Sequence, residues 1–108
     1  MNMTNALLDP KLFETKASEA AAMLRALSNE RRLMILCRLS GGELSVGDLQ
    51  KDSGLSQSAF SQHLAVLRDQ GLVATRRESQ IIYYSVSDPA ALTIMKTLAS
   101  IYCPEMLI

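Results

Sequence analysis

Apolar residues recur at helical spacing through the first part of the chain. They fall along one side of a helix predicted from Lys11 to Leu27 and along a second helix predicted from Glu30 to Ser40. Ser28 and Asn29 stand between the two as capping residues, and the Gly41-Gly42 pair is expected to end the second helix. The pattern therefore predicts two amphipathic helices with a very short connection.

Two shorter helices are predicted in the middle of the chain. Ser45 can cap the first, which stops near Gly54, and Ser56 can cap the second, which runs from Gln57 to Arg68. Two short helices joined by a glycine-containing turn are typical of a helix-turn-helix. The predicted inner face of the second helix consists of Phe60, Leu64 and Leu67.

The hydrophobic period changes after Gly71, which is expected to terminate the preceding helix. The segments Leu72 to Arg76 and Ile81 to Val86 are rich in branched and aromatic residues and predict a β-hairpin. The Asp88-Pro89 pair then predicts the start of a last helix, which runs to about Tyr102. The order α-α-α-α-β-β-α is that of a mainly helical winged helix-turn-helix.

Composition is compatible with one folded domain. The chain has 108 residues, of which 48% are hydrophobic and 20% are charged. The domain is predicted over residues 11–103, with a flexible N-terminal tail over 1–10 and a C-terminal tail over 104–108. No secretory signal is evident, and no apolar stretch approaches the roughly 18 residues of a membrane span. A cytoplasmic location without membrane contact is therefore expected.

Charge and cysteine content exclude several kinds of chemistry. Eleven basic and eleven acidic residues exclude a protein that binds nucleic acid by bulk charge, although a sequence-specific binder needs only a local basic face. Cys37, Cys103 and His63 are too few to build a four-ligand Cys/His metal site within one chain. In a cytosolic chain, pairing of the two thiols is expected to be transient or sensory.

The outward positions of the second short helix are candidates for DNA recognition. Hydroxyl and amide groups donate and accept hydrogen bonds, as contacts with base edges require, and glutamine can pair bidentately with adenine. Ser56, at the helix start, can present its hydroxyl and the first backbone amides to a phosphate. The residues expected to contact bases are Gln57, Ser58, Ser61 and Gln62.

The hairpin connection adds a second group of candidates. Arg76, Arg77 and Gln80 are placed at its tip, where a wing can reach the neighbouring minor groove or the DNA backbone. His63 lies at the boundary of the inner face of its helix and is expected to be a partly buried, hydrogen-bonded structural residue. Double-stranded DNA is therefore the predicted partner.

Other interpretations of the same pattern remain open. A polar helix face can be merely solvated surface, and a winged helix can be a module whose hairpin and last helix bind another protein. Such a module is disfavoured because interaction surfaces normally show aromatic anchors. An enzyme is disfavoured because the sequence offers no nucleophile–base pair and no paired carboxylates.

Several segments resemble the ArsR/SmtB family of repressors, and the resemblance extends from about Lys16 to Cys103. It implies a homodimer joined through the first and last helices, and binding to an inverted-repeat operator. The segments that carry it are Leu27-Ser28-Asn29-Glu30-Arg31-Arg32-Leu33, Glu43-Leu44-Ser45-Val46-Gly47-Asp48-Leu49, Leu55-Ser56-Gln57-Ser58-Ala59-Phe60-Ser61-Gln62-His63-Leu64 and Leu67-Arg68-Asp69-Gln70-Gly71-Leu72-Val73.

The sequence departs from the metal-sensing members of that family. The arsenic-type sensors carry a pair of cysteines where Ser45 and Gly47 stand here, so a soft thiolate site is missing. The zinc-type sensors use Asp, His and Glu ligands on the terminal helix, which here has no histidine, and Asp88 is explained as a helix cap. No metal and no other cofactor is therefore expected.

The two cysteines are similar in position to those of the BigR, HlyU and SqrR branch, whose members respond to reactive sulfur species. Leu36-Cys37 and Ile101-Tyr102-Cys103 match the surroundings of those cysteines. The resemblance implies that persulfides or oxidants join the two thiols in a disulfide or polysulfide bridge. We hypothesise that the reduced dimer binds its operator and the bridged dimer releases it. Taken alone, Cys37 on an apolar stripe is typical of an inert core residue, so a family repressor with another inducer remains the alternative.

Overall fold

A computed structural model describes residues 9–107 and confirms the mainly helical winged-helix architecture. The helices are α1 (Pro10–Glu14), α2 (Ala17–Leu27), α3 (Glu30–Leu39), α4 (Val46–Lys51), α5 (Gln57–Asp69) and α6 (Pro89–Tyr102). The strands are β1 (Leu44–Ser45), β2 (Val73–Glu78) and β3 (Ile81–Val86), and Pro104–Leu107 forms a 3-10 turn. Apart from Asp9 and Pro10, the predicted N-terminal tail lies outside the described residues.

Four helix starts coincide with the capping residues that the sequence predicts. In each, a side-chain oxygen accepts a hydrogen bond from a backbone amide of the first turn, an interaction that stabilises a helix by about 0.5–2 kcal/mol. The N···O distances are 2.9 Å for Asn29, 3.1 Å for Ser45, 3.2 Å for Ser56 and 2.9 Å for Asp88.

The first predicted helix is wrong in one respect, because the chain breaks it into α1 and α2. The Lys16 amide bonds to the Phe13 carbonyl at 2.9 Å, which tightens the end of α1 into a 3-10 turn. The Thr15 hydroxyl bonds to the Leu12 carbonyl at 3.1 Å. Such local bonds from Thr compete with helix propagation, so the apolar spacing continues although the helix does not.

The core lies between α2, α3, α5, α6 and the sheet. Leu36 of α3 is completely buried, and the predicted inner face of α5 is confirmed because Phe60, Leu64 and Leu67 are all buried. The remaining buried apolar residues are Ala26, Leu27, Ile35, Leu39, Leu49, Leu72, Val73, Tyr84 and Ala91. Burial of one face leaves the opposite face of α5 in solvent.

The chain leaves α5 through a Schellman ending at the predicted glycine. Gly71 has a φ of 73°, a conformation that favours glycine. Its amide bonds to the Arg68 carbonyl at 2.9 Å, and the Leu72 amide bonds to the Leu67 carbonyl at 2.9 Å. Leu72 is buried, so the start of the hairpin is fixed relative to α5.

The sheet has three strands rather than the two of the predicted hairpin. Its order is β1-β3-β2, and both pairings are antiparallel. In the pairing of β1, Leu44 lies opposite Tyr84 and Ser45 lies opposite Tyr83. A two-residue strand carries no periodicity of its own, which is why the sequence pattern does not show it.

Candidate nucleic-acid interface

The helix-turn-helix consists of α4, a short turn and α5. Gly54 adopts a φ of 70° in the turn. The Ser53 hydroxyl donates to the Gln50 carbonyl at 2.8 Å and accepts from the Leu55 amide at 3.1 Å. These bonds close the end of α4 and direct the chain into α5, which makes α5 the recognition helix of the motif.

Three arginines of α3 hold the neighbouring helices in place. Arg38 Nη1 donates to the carbonyls of Asp48 and Leu49, at 3.1 and 3.0 Å, near the C-terminus of α4. Arg31 Nη1 donates to the Ser53 carbonyl at 3.5 Å. Cations near helix C-termini satisfy carbonyls that lack partners within the helix. Helical periodicity alone does not reveal these positioning contacts, although Arg31 and Arg38 are seven residues apart on one helix face.

The third of these arginines, Arg32, connects the end of α2 to the recognition helix. Its Nε donates to the Ala26 carbonyl at 2.6 Å and its Nη2 to the Arg25 carbonyl at 3.1 Å. Its Nη1 lies 3.4 Å from Nδ1 of His63 on α5. This contact suits a neutral imidazole whose Nδ1 accepts a hydrogen bond.

The surroundings of His63 favour the neutral form of its imidazole. Burial lowers its pKa below the usual value of 6.5 because it disfavours the charged ring, and the cations of Arg32 and Arg31 lower the pKa further. The side chain is half-buried and within hydrogen-bond distance of Arg32. These observations agree with the structural role expected for His63.

The structure brings the candidate base-contacting residues together on the solvent side of α5. These residues, and Ser56 at the helix start, are all exposed. The Ser56 hydroxyl caps the helix. Within residues 9–107, the other four side chains make no hydrogen bond, so their donors and acceptors are open to a ligand. The four are Gln57, Ser58, Ser61 and Gln62.

The wing differs from its sequence prediction in where the arginines lie. Strand β2 continues to Glu78, so Arg76 and Arg77 belong to the strand, and the turn consists of Ser79 and Gln80. The hairpin is longer than expected because residues 77 and 78 pair with Ile82 and Ile81. Of the three wing candidates, only Gln80 lies at the tip.

Arg76 is already engaged by neighbouring side chains. Its Nε and Nη2 donate to the two carboxylate oxygens of Glu43, at 3.1 and 2.7 Å, and its Nη1 donates to Glu78 at 2.8 Å. The guanidinium also lies over the Tyr83 ring, 4.6 Å from its centroid. The hydrogen bond from Arg76 lowers the pKa of Glu43, and the carboxylates raise the pKa of Arg76.

Arg77 and Gln80 are not held in this way. Both are exposed, and Arg77 forms no ion pair within the described part of the chain. A basic side chain without a carboxylate partner is available for a phosphate, whereas Arg76 carries two anionic neighbours. Within the wing, Arg77 is therefore the stronger candidate for a cationic DNA contact.

The two cysteines line one groove between α3 and α6. Cys37 is exposed on α3, so the structure does not place it in the core as its apolar stripe alone would indicate. Cys103 is half-buried at the end of α6, where its amide bonds to the Ala99 carbonyl at 2.8 Å. The groove has a volume of about 570 Å³, and Leu33 and Met95 are among its apolar lining residues.

Neither a cluster of metal ligands nor a membrane-spanning helix is present in the part of the chain that the structure describes. Between residues 9 and 107, no three His, Cys, Asp or Glu side chains lie close enough together to hold a metal ion. Over the same range, no helix has the length and apolar character that crossing a membrane requires.

The sequence also matches a family of known proteins. Residues 29–75, from the cap of α3 to the third residue of β2, match the model of the family described as bacterial regulatory protein, arsR family. The transcriptional activator HlyU of Vibrio cholerae is 48% identical over 90 residues, which are 83% of this chain and 83% of HlyU. The structure of reduced HlyU aligns with a TM-score of 0.80 and 46% identity, over 86% of this chain and 98% of that one.

Two further solved structures share the fold. The transcriptional repressor BigR from Xylella fastidiosa has a TM-score of 0.80 and 40% identity, over 86% of this chain and 95% of BigR. The homodimeric winged helix-turn-helix DNA-binding domain of a possible ArsR-family regulator from Mycobacterium bovis has a TM-score of 0.72 and 30% identity, over 87% and 86% of the two chains. The chain is thus a transcriptional regulator rather than an enzyme, and it belongs to the ArsR family of bacterial DNA-binding regulators.

Proposed function

We propose that this regulator represses transcription by binding an inverted-repeat operator as a homodimer while its thiols are reduced. Reactive sulfur species or oxidants then bridge Cys37 and Cys103 and release the DNA. The observation that carries this proposal is that the two thiols line one groove between α3 and α6. Cys37 is exposed in that groove and therefore accessible to a reagent.

DNA contact is assigned to the solvent side of α5 and to two wing residues, Arg77 and Gln80. The four polar side chains Gln57, Ser58, Ser61 and Gln62 have unused donors and acceptors, which direct recognition of base edges requires. Arg77 and Gln80 extend the contact to the backbone or the neighbouring minor groove. Arg76 has a supporting role, because its guanidinium is bound to Glu43 and Glu78.

The dimer is assigned to the helices at the two ends of the domain. Large apolar side chains of α1, α2 and α6 are exposed, and a protein with such side chains on neighbouring helices can cover them with a second copy. Two-fold symmetry then presents two recognition helices to half-sites about 34–36 Å apart, which explains an inverted repeat. The homodimeric relative from M. bovis supports this assembly. The exposed residues are Leu12, Phe13, Leu24, Ile101 and Tyr102.

The chemistry of the switch needs an oxidant, for which a persulfide of the form RSSH suffices. The Cys37 thiolate attacks the outer sulfur of the persulfide, the S–S bond of the donor breaks, and the thiol RSH leaves. The Cys103 thiolate then attacks the Cys37 sulfur and expels hydrosulfide. The cysteines lose two electrons to form a disulfide, and the transferred sulfur is reduced to hydrosulfide.

A longer bridge follows if both thiols first take up a sulfur atom. Attack of one cysteine persulfide on the other expels hydrosulfide and leaves a trisulfide. A direct disulfide requires Cα atoms roughly 4.4–6.8 Å apart, and an inserted sulfur relaxes that requirement. Either bridge joins the dimer helix α6 to α3, whose arginines hold α4 and α5. The bridge thereby alters the spacing of the two recognition helices.

The test begins by selecting the operator from random DNA with the reduced protein. An inverted repeat in the selected sequences, and a dimer in sedimentation, are expected. Fluorescence anisotropy with that operator then compares the wild type with Cys37→Ser and Cys103→Ser before and after treatment with an alkyl persulfide. The wild type should lose at least about tenfold in affinity, equivalent to about 1.4 kcal/mol, and recover with reductant.

The cysteine variants decide the mechanism. Both should bind the operator like the reduced wild type and keep that affinity after treatment. Mass spectrometry of the treated wild type should show one Cys37–Cys103 bridge within a chain. Release of the Cys37→Ser variant by persulfide, or bridging without any release of the wild type, would contradict the proposal.

A further inference from the structure

The groove that holds the two thiols offers more than sulfur chemistry. Its walls are side chains of α3 and α6 and are predominantly apolar, with Leu33 and Met34 on one side and Leu92 and Met95 on the other. In the single chain Met34 remains 56% exposed, so this side of the groove is open to solvent, whereas Tyr102, which also lines the groove, belongs to the proposed dimer surface. A volume of about 570 Å³ lies within the range of about 300–1,000 Å³ that is usual for small-molecule sites.

One cation lies in the lining of this groove and has no anionic counterpart there. Lys96 of α6 borders the groove, and the lining contains no Asp or Glu. Within residues 9–107, the Lys96 ammonium group forms no ion pair. Lysine side chains lay their aliphatic stems along apolar surface and keep the charge in water. The groove therefore combines an apolar trough with a positive charge.

We propose that this groove is a noncovalent binding site for a small amphipathic anion, namely an unbranched aliphatic chain that ends in a carboxylate. The chain lies between α3 and α6, and the carboxylate pairs with Lys96. Charge complementarity favours this occupant. A cationic amphiphile would be repelled by the ammonium group of Lys96, and a neutral one would form no ion pair with it. The site does not depend on the thiol switch, although a bound chain covers Cys37 and slows its modification.

Chain length gives a quantitative expectation. Burial of one methylene contributes about 0.8 kcal/mol, which corresponds to an affinity increase of up to about fourfold for each carbon. An exposed ion pair is worth less, so loss of the Lys96 charge should weaken binding by about twofold to fivefold. The apolar walls therefore supply the affinity, and Lys96 supplies the preference for an anion.

The experiment titrates the reduced full-length protein with hexanoate, octanoate and decanoate below their micelle concentrations, by calorimetry. Affinity should rise with each added pair of carbons, and decanoate should slow alkylation of Cys37 by iodoacetamide. Lys96→Gln should weaken decanoate binding, whereas the control Lys51→Gln, which removes an exposed lysine of α4 outside the groove, should not. Ala99→Leu places a larger side chain in the groove lining and should abolish binding.

The remaining outcomes are equally decisive. Affinity that is independent of chain length, or an equal effect of both lysine substitutions, overturns the inference. If decanoate fails to bind while Ala99→Leu weakens the dimer, the groove is an interface between two copies of the chain. Lys96→Gln should still be released from the operator by persulfide, because Lys96 takes no part in the thiol chemistry, so failure of this site and failure of the thiol switch are distinguishable.

Discussion

The recognition helix and the wing differ in how far their polar groups are already bound within the protein. On α5, the side chains of Gln57 and Gln62 are exposed and make no hydrogen bond within residues 9–107, whereas on the wing Arg76 donates three hydrogen bonds to Glu43 and Glu78. Both surfaces carry residue types that suit DNA. The two carboxylates around Arg76 orient its guanidinium and compensate its charge, whereas the polar side chains of α5 are unengaged. Residue type is therefore informative on α5 and insufficient on the wing.

The largest expected effects come from single substitutions on the two faces of α5, one on the solvent face and one on the buried face. Gln57→Ala should weaken operator binding by about 1–3 kcal/mol because it removes a base contact, with little change in the free energy of unfolding since the side chain is exposed. Phe60→Ala, on the 1% exposed inner position, should instead lower the free energy of unfolding by about 3–5 kcal/mol. Anisotropy and urea denaturation measure the two quantities.

The matched control for the solvent face is Gln70→Ala, at the opposite end of the same helix. Operator affinity should stay at the wild-type value. If Gln57→Ala and Gln70→Ala behave alike, the polar face of α5 is merely solvated surface and recognition lies elsewhere.

A smaller effect is expected from the two wing arginines, and it should differ between them. Arg77→Gln should reduce the slope of log affinity against log salt concentration by about 0.9, the value for one lost phosphate contact. Arg76→Gln should leave that slope nearly unchanged, because its charge is already compensated. Anisotropy titrations at several salt concentrations give the slopes.

Glu43→Gln tests the same difference between Arg76 and Arg77, but it should increase the salt dependence of operator binding rather than reduce it. Loss of the Glu43 charge weakens the hold on Arg76 and makes its guanidinium available to DNA. The salt dependence should therefore become steeper than in the wild type. Equal slopes for the Arg76→Gln and Arg77→Gln variants would show that the two arginines are not distinguished by their partners.

The smallest expected effect is a pH dependence of stability that comes from His63, which contacts Arg32 on the inner side of α5. Its pKa in the folded protein is below the ordinary 6.5, so the unfolded chain takes up the proton more readily. The stability that this group contributes is complete above about pH 6.5 and is lost as the pH falls from there toward the lowered pKa. Urea denaturation at pH 7.5 and 5.5 should show this loss in the wild type and a smaller one in His63→Gln. The same decrease in both proteins would assign the effect to other groups.

Local signals account for the parts of the fold that the sequence predicted well. The caps at Asn29, Ser45, Ser56 and Asp88, and the glycine ending of α5, depend on residues within a few positions of one another. The polar side of α5 could be predicted equally well from the sequence, because burial of Phe60, Leu64 and Leu67 leaves only one face of the helix for solvent.

Contacts between distant segments account for what the sequence did not show. Strand β1 exists because it pairs with a strand almost forty positions later, and Arg76 is engaged by Glu43, 33 residues earlier in the chain. The exposure of Cys37 depends on how α6 lies against α3, which helical periodicity cannot specify. The predicted dimer, operator contacts and thiol switch involve molecules outside the chain and stay predictions for the experiments above.

Strand β1 has a consequence for the kind of DNA site that the protein can accept. Ser45 pairs with β3 of the wing and also caps α4, so one residue belongs to both units. The wing and the helix-turn-helix are thereby joined through a shared residue, and we expect their contacts with DNA to keep a constant phase around the double helix. One base pair inserted within a half-site would rotate the wing's target by about 34°, given 10–10.5 base pairs per turn. Within each half-site, spacing should be as strictly selected as base identity.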